Sequence, residues 1–161
     1  MTEAKYYPAL HNTFLKLEKK FKMEVVIAPH PRADISKYKY FFKGRKVSSL
    51  DTIELVKKSN GVLTHTSTAV SFAVIYRKPI IFLTSNEIIQ SYDDYRVHNS
   101  SRIFNSKLIN IDNKKCLNNI NSHDFVLSTD RLKYDLYFKN YIKHPDSENI
   151  SMVNLIENNL R

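Results

Sequence analysis

The sequence predicts an α/β domain of the doubly wound kind, three layers with helices on both faces of a mostly parallel sheet. Two observations carry this. Residues 61–83, GVLTHTSTAVSFAVIYRKPIIFL, hold an apolar run, a helical segment and a second apolar run. That is the shortest form of a βαβ unit, the building block of parallel sheets. Around it, amphipathic segments and apolar runs alternate in the order α-β-α-β-α-β, with further helical segments trailing.

Each element has its own signal. Residues 8–21 predict a helix: Pro8 suits a first turn, and Leu10, Phe14, Leu17 and Phe21 fall on one face. Residues 23–28, MEVVIA, read as a buried strand. Phe41 and Phe42 suggest a short edge strand. A helix is expected from Ser49 to about Ser59, capped by Ser48 or Ser49, with Asp51 and Glu54 at its positive end and Leu50, Ile53 and Val56 toward the sheet. The helix from Thr66 to about Arg77 is apolar on nearly every side, which predicts burial on both sides. Pro79 can open the strand that follows. Residues 84–101 read as a polar stretch. Residues 107–111 form a further strand candidate, with Asp112 or Asn113 capping a short helix over Cys116. Residues 124–127 are a weaker strand candidate. Thr129 or Asp130 starts a helix to about Lys143, and Met152, Leu155, Ile156 and Leu160 mark a last amphipathic one.

Composition sets limits. A chain of 161 residues is one domain, large enough to bury a core. With 42% hydrophobic and 25% charged residues it is globular. The single cysteine, Cys116, excludes an internal disulfide framework and fits a reducing compartment. Arg77 and Lys78 interrupt the longest apolar stretch below a membrane span, and MTEAKYYPAL has no signal-peptide pattern. A formal charge of +9 favours anionic partners. Gly44 and Gly61 are the only glycines, so there is no Walker loop and no GxGxxG fingerprint.

If phosphate is bound, hydroxyls and helix N–H groups must hold it. Thr66, Ser67 and Thr68 open a helix at the carboxyl end of a strand, where open α/β sheets bind ligands and where free amides favour anions. His30, between Pro29 and Pro31, is expected to be held rigidly at another strand end. There it can donate to a phosphate or act as a general acid; a turn histidine bonded to a carbonyl is the equal alternative. His65 is expected to serve the strand-to-helix turn. Glu87 follows the next strand and can accept from ribose hydroxyls, or sit as a helix-start carboxylate. Arg32, Lys43, Arg45 and Lys46 could line an anion site, with a solvated loop as the default. His11, His98, His123 and His144 read as surface residues.

VVIAPHPRADIS, followed by SLDTIELVKKSNGVLTHTSTAVSFAVIYRKPIIFLTS, resembles the donor-binding half of bacterial surface-polysaccharide glycosyltransferases of the GT-B fold. The sialyltransferases and polysialyltransferases are the nearest kinds, and capsule-type Kdo transferases share the pattern. The matching motifs are His30-Pro31 and Thr66-Ser67-Thr68. The tail KYDLYFKNYIKHPDSEN resembles the family's Tyr-rich closing segment.

The resemblance implies a Rossmann-like half of a GT-B fold, with a CMP-linked sugar acid as donor and neither an essential metal nor another cofactor. His30 would contact the CMP phosphate and assist its departure as acid, with Pro31 beside it. Ser67 and Thr68 would hold the same phosphate, with His65, Thr66 and Glu87 completing the donor site. A GT-B enzyme takes its acceptor site and base from another domain. No Asp/Glu-Asp/Glu-Gly base motif stands out; Asp93-Asp94 is followed by Tyr95. The expectation is a single nucleotide-sugar-binding domain over residues 1–161, the acceptor-binding half absent. It would have weak or no transferase activity alone and would need an acceptor-binding partner domain or chain. The expected location is the cytoplasm, the alternative being the inner face of the cytoplasmic membrane as a peripheral protein.

Other classes compete. An inactive remnant or interaction domain fits the missing half. A nucleic-acid-binding module is disfavoured, because the basic residues are spread along the chain and no binding motif occurs. A metal-dependent hydrolase on His30, Asp34 and His65 lacks compact ligand spacing.

Overall fold

A parallel sheet with its strands in sequence order organises the fold, seen in a computed structural model. The structure describes residues 2–30, 33–34, 36, 40–42, 44–48, 51–121, 130–143 and 145–147. Helix α1 spans Glu3–Phe21, α2 Thr52–Lys58, strand β1 Val62–Thr64, α3 Val70–Ile75, β2 Ile80–Thr84, α4 Asn86–Ile89 and α5 Asp93–Ile103. Strand β3 spans Leu108–Asn110, α6 Lys114–Asn118 and α7 Arg131–Tyr137, which continues as one π-helical turn, Phe138–Ile142. The sheet is open and all-parallel: Val62 pairs with Ile80, and Phe82 with Leu108.

Strand β2 is the axis of the core. It is buried from end to end, and its side chains alternate between two faces. Ile81 and Leu83 pack with Leu10, Phe14 and Leu17 of α1 and Leu117 of α6. Ile80 and Phe82 pack with Val56 of α2, Ala73 and Val74 of α3, Val97 of α5 and Tyr134 of α7. Burying an aliphatic or aromatic side chain fully is worth about 1.5–3 kcal/mol. The continuous apolar run of β2 is therefore what two covered faces require.

Several elements differ from expectation. Helix α1 begins at Glu3, ahead of Pro8. Ala4 and Pro8 are both exposed, so water can serve the carbonyl that Pro8 cannot pair. Only Ile27 of residues 23–28 is paired, in a parallel bridge to Val47. Phe41 is not in a strand; its ring stacks on Tyr7 with centroids 4.2 Å apart, and Phe42 is buried in the α1 core. The cap of α2 is Asp51, whose Oδ1 accepts from the Glu54 amide at 2.8 Å, while the Ser48 amide donates to Ile27 O at 2.9 Å. Val56 of α2 is buried, whereas Ile53 is exposed. Helix α3 is shorter than expected and covered on one side only: Val70, Ala73 and Val74 are buried and Ile75 is exposed. Most of the polar stretch after β2 is helical, in α4 and α5. Ser85 caps α4 through the Ile88 amide, and Asp93 and Asp94 occupy the first turn of α5.

The expected strand over residues 107–111 is β3, and Asn113 caps α6, its Oδ1 accepting from the Lys115 amide at 3.0 Å. Asp130 caps α7, accepting from the Lys133 amide at 3.1 Å. The strand over residues 124–127 and the helix at Met152–Leu160 lie outside the described residues. No helix among them is long and apolar enough to cross a membrane.

Candidate functional site

Strands β1, β2 and β3 run one way, so Thr64, Thr84 and Asn110 end at one carboxyl edge. Past β1 come His65 and then Thr66, Ser67 and Thr68, which turn the chain into α3. The turn is tightened by three-residue closures: the Val70 amide donates to Ser67 O at 3.2 Å and the Ser71 amide to Thr68 O at 3.0 Å. Ser67 Oγ accepts from the Ala69 amide at 3.1 Å. The amides of Thr66, Ser67 and Thr68 have no partner among the described residues. Ser67 and Thr68 are exposed and Thr66 is half-buried. Free amides beside hydroxyls can donate to an anion. Because α3 has only six residues, local N–H groups rather than a long macrodipole supply the attraction.

His65 is part of the framework of this edge. Its Nδ1 lies 2.7 Å from Leu83 O. A carbonyl can only accept, so Nδ1 carries the proton, and Nε2 accepts from the Tyr6 hydroxyl. Burial lowers the His65 pKa below the ordinary imidazole value, and the bond to Leu83 opposes that only in part. The neutral ring thereby joins α1, β1 and β2.

Glu87, in the first turn of α4, accepts from the Thr2 amide at 2.6 Å. That bond, with the positive charge of Lys5 a lesser influence, holds its carboxyl below the usual range. Helix α1 is thus fastened by its first turns to the edge that carries the hydroxyl turn. His30 is exposed in the segment after Ile27, and its carbonyl accepts from the Ala33 amide at 2.8 Å. Pro31 lies outside the described residues.

Between β2 and β3 the edge is a closed polar mesh. Asn110 Nδ2 donates to Asn86 Oδ1 at 2.8 Å, the Asn86 amide to Asp112 Oδ2 at 2.8 Å, and the Asp112 amide to Asn110 Oδ1 at 3.0 Å. Thr84 adds a hydroxyl that is buried and without a partner among the described residues. Tyr6, Thr84 and Asn110 were not singled out from sequence, and Asp112 was read only as a helix-cap candidate; the signal that could have found the last three is their position where an apolar run ends.

Other candidates are committed elsewhere. Arg45 pairs with Glu18 and lies over the Phe14 ring, 5.4 Å from its centroid, so it braces α1 rather than lining an anion site. His11 is half-buried rather than on the surface, whereas His98 is exposed and pairs with Asp94 at 3.2 Å. A shallow hollow of about 300 Å³ lies beside the start of α1, lined by Glu3, Ser36, Tyr40 and Phe41. No cluster of three metal-ligating side chains occurs among the described residues.

No family model, curated protein or solved structure matches the chain.

Proposed function

We propose that the chain is a nucleotide-sugar donor domain. It binds a CMP-activated sugar acid of the sialic acid or Kdo type for bacterial surface-polysaccharide synthesis. The observation that carries this reading is the turn at Thr66, Ser67 and Thr68, at the carboxyl end of a parallel strand: its amides have no partner among the described residues, and Ser67 and Thr68 are exposed. Such a turn can hold a phosphate without a glycine-rich loop or a metal. Further support comes from the all-parallel sheet with helices packed against both faces, as expected of a doubly wound, Rossmann-like half of a GT-B fold. The formal charge of +9 suits an anionic donor.

In this reading the acceptor oxygen attacks the anomeric carbon while the bond from that carbon to the CMP phosphate oxygen breaks. His30 gives the departing phosphate its proton, and the turn stabilises the charge that develops there. The acceptor and its base come from a partner domain or chain, and the complex works in the cytoplasm. Pro31 fixes the backbone beside His30, and Glu87 faces the ribose.

A second reading, an interaction domain without a working donor site, is favoured by one observation. Tyr6 and Thr2 already engage His65 and Glu87. Calorimetric titration with CMP, UMP and GMP separates the two. Preferential CMP binding is expected; a folded chain that binds none of them, or all equally, contradicts the donor reading.

A further inference from the structure

We infer that the hollow beside the start of α1 binds a methylated ammonium ion, a choline-like organic cation. The inference goes beyond the donor reading and rests on residues other than the hydroxyl turn. The hollow measures about 300 Å³, at the lower limit of small-ligand sites, and is lined by Glu3, Ser36, Tyr40 and Phe41. Two of the four are aromatic. The centroids of their rings are 5.5 Å apart and the planes meet at 69°, so they form adjoining walls rather than a stack. A ring face carries partial negative charge and attracts a cation within about 6 Å of its centroid.

The polar groups of the lining favour the same charge. Glu3 brings a carboxylate that has no hydrogen bond or ion pair among the described residues. Ser36 spends its proton elsewhere: its Oγ donates to Asp34 Oδ1 at 2.6 Å, which leaves it lone pairs to offer. No lysine or arginine occurs in the described lining. In a chain of formal charge +9 the hollow is thus locally negative. A bare ammonium ion is strongly hydrated, whereas methylation removes its N–H donors and suits it to ring faces.

Much of the aromatic wall is set before any ligand arrives. Ser36 and Tyr40 are helical residues four apart and share a face. Phe41 stacks on Tyr7 with centroids 4.2 Å apart, and Tyr7 meets the buried Phe42 edge-on at 5.5 Å, so the wall is anchored in the α1 core. Tyr40 is 79% exposed, which leaves its ring open to a ligand. A wall fixed in advance costs less to order on binding.

Titrating the full chain with choline at constant ionic strength, followed by NMR, tests this. Its uncharged tert-butyl analogue and ammonium chloride serve as comparison compounds. Choline should saturate one site, and both comparison compounds should bind more weakly. Tyr40→Ala should weaken choline about 3- to 30-fold, the range for one ring under a cation, and Tyr40→Phe should restore it, because the ring and not the hydroxyl acts. Glu3→Gln should cost about 2- to 5-fold, as for an exposed ion pair. Glu3 and Tyr40 are both exposed, so these variants should melt with the wild type. Equal affinity for choline and the tert-butyl analogue shows an apolar hollow only and overturns the inference. So does choline binding that is unchanged in Tyr40→Ala and Glu3→Gln, or absent from folded wild type. CMP is titrated separately, so failure of either ligand leaves the account of the other standing.

Discussion

The Tyr6 hydroxyl donates to Nε2 of His65, whose Nδ1 donates in turn to Leu83 O. The first turns of α1 are fixed in this way to the ends of β1 and β2, across 59 residues of sequence. Tyr6→Phe leaves a half-buried imidazole nitrogen without its donor. The expected cost is about 1–3 kcal/mol, read from the midpoint of urea unfolding at pH 7.5. An unchanged midpoint would mean that the packing of α1, not this bond, sets its position.

The same ring makes stability depend on pH. Burial depresses the folded-state pKa of His65, so between the folded and unfolded values the unfolded chain binds more protons. The contribution is complete above about pH 6.5, the ordinary imidazole value, and is lost as pH falls through the depressed folded value. Wild-type stability should fall as pH drops below about 6.5, and His65→Gln should flatten that part of the curve. Parallel curves for the two proteins contradict a His65 held neutral in the fold.

A second brace lies at the far end of α1. Glu18 accepts from Arg45 and, at 2.9 Å, from the Val25 amide. Burial raises the Glu18 pKa, but the hydrogen bonds from Arg45 and Val25 outweigh it and leave the carboxyl below its usual range. Arg45→Met removes the cation and leaves a partly buried carboxylate with one donor. The expected loss is roughly 1–3 kcal/mol, between the costs of breaking exposed and fully buried pairs. It should shrink as pH falls through the carboxylate range, since protonated Glu18 no longer needs the cation. A loss that is the same at pH 7 and pH 4 contradicts this account.

On the opposite face, the buried Tyr134 hydroxyl donates to Lys78 O at 2.8 Å, tying α7 to the segment that feeds β2. Desolvation raises the Tyr134 pKa, so the phenol stays neutral. Tyr134→Phe keeps the ring packing and leaves the carbonyl without this donor. Stability should drop by about 1 kcal/mol, read by chemical denaturation. A neutral result would show that water serves Lys78 O equally well.

The sequence made β1, β2 and the intervening turn readable, because apolar runs bounded by Gly61 and Pro79 leave few alternatives. Helix α5 was hidden by its polarity: Val97 and Ser101 are its buried residues, too few to print a helical period. The strand expected over residues 23–28 comes down to one bridge, since β-branched composition signals burial without naming a partner strand. At the edge, the hydroxyl turn was visible because its residue types suit the position. The attachment of His65 to Tyr6 and of Glu87 to Thr2 was not, because contacts over such separations leave no local pattern. Thr84 looked like the end of an apolar run; only the burial of its hydroxyl distinguishes it.

The central claim is that the turn at Thr66, Ser67 and Thr68, together with His30, receives the phosphate of a CMP-linked donor. Calorimetric titration of CMP into wild type, His30→Ala and Ser67→Ala tests it most directly. The account predicts a saturable CMP site in wild type that weakens about 10-fold or more in both variants, each of which loses a donor to a charged phosphate. CMP binding unchanged in both correctly folded variants, or absent from folded wild type, would contradict it.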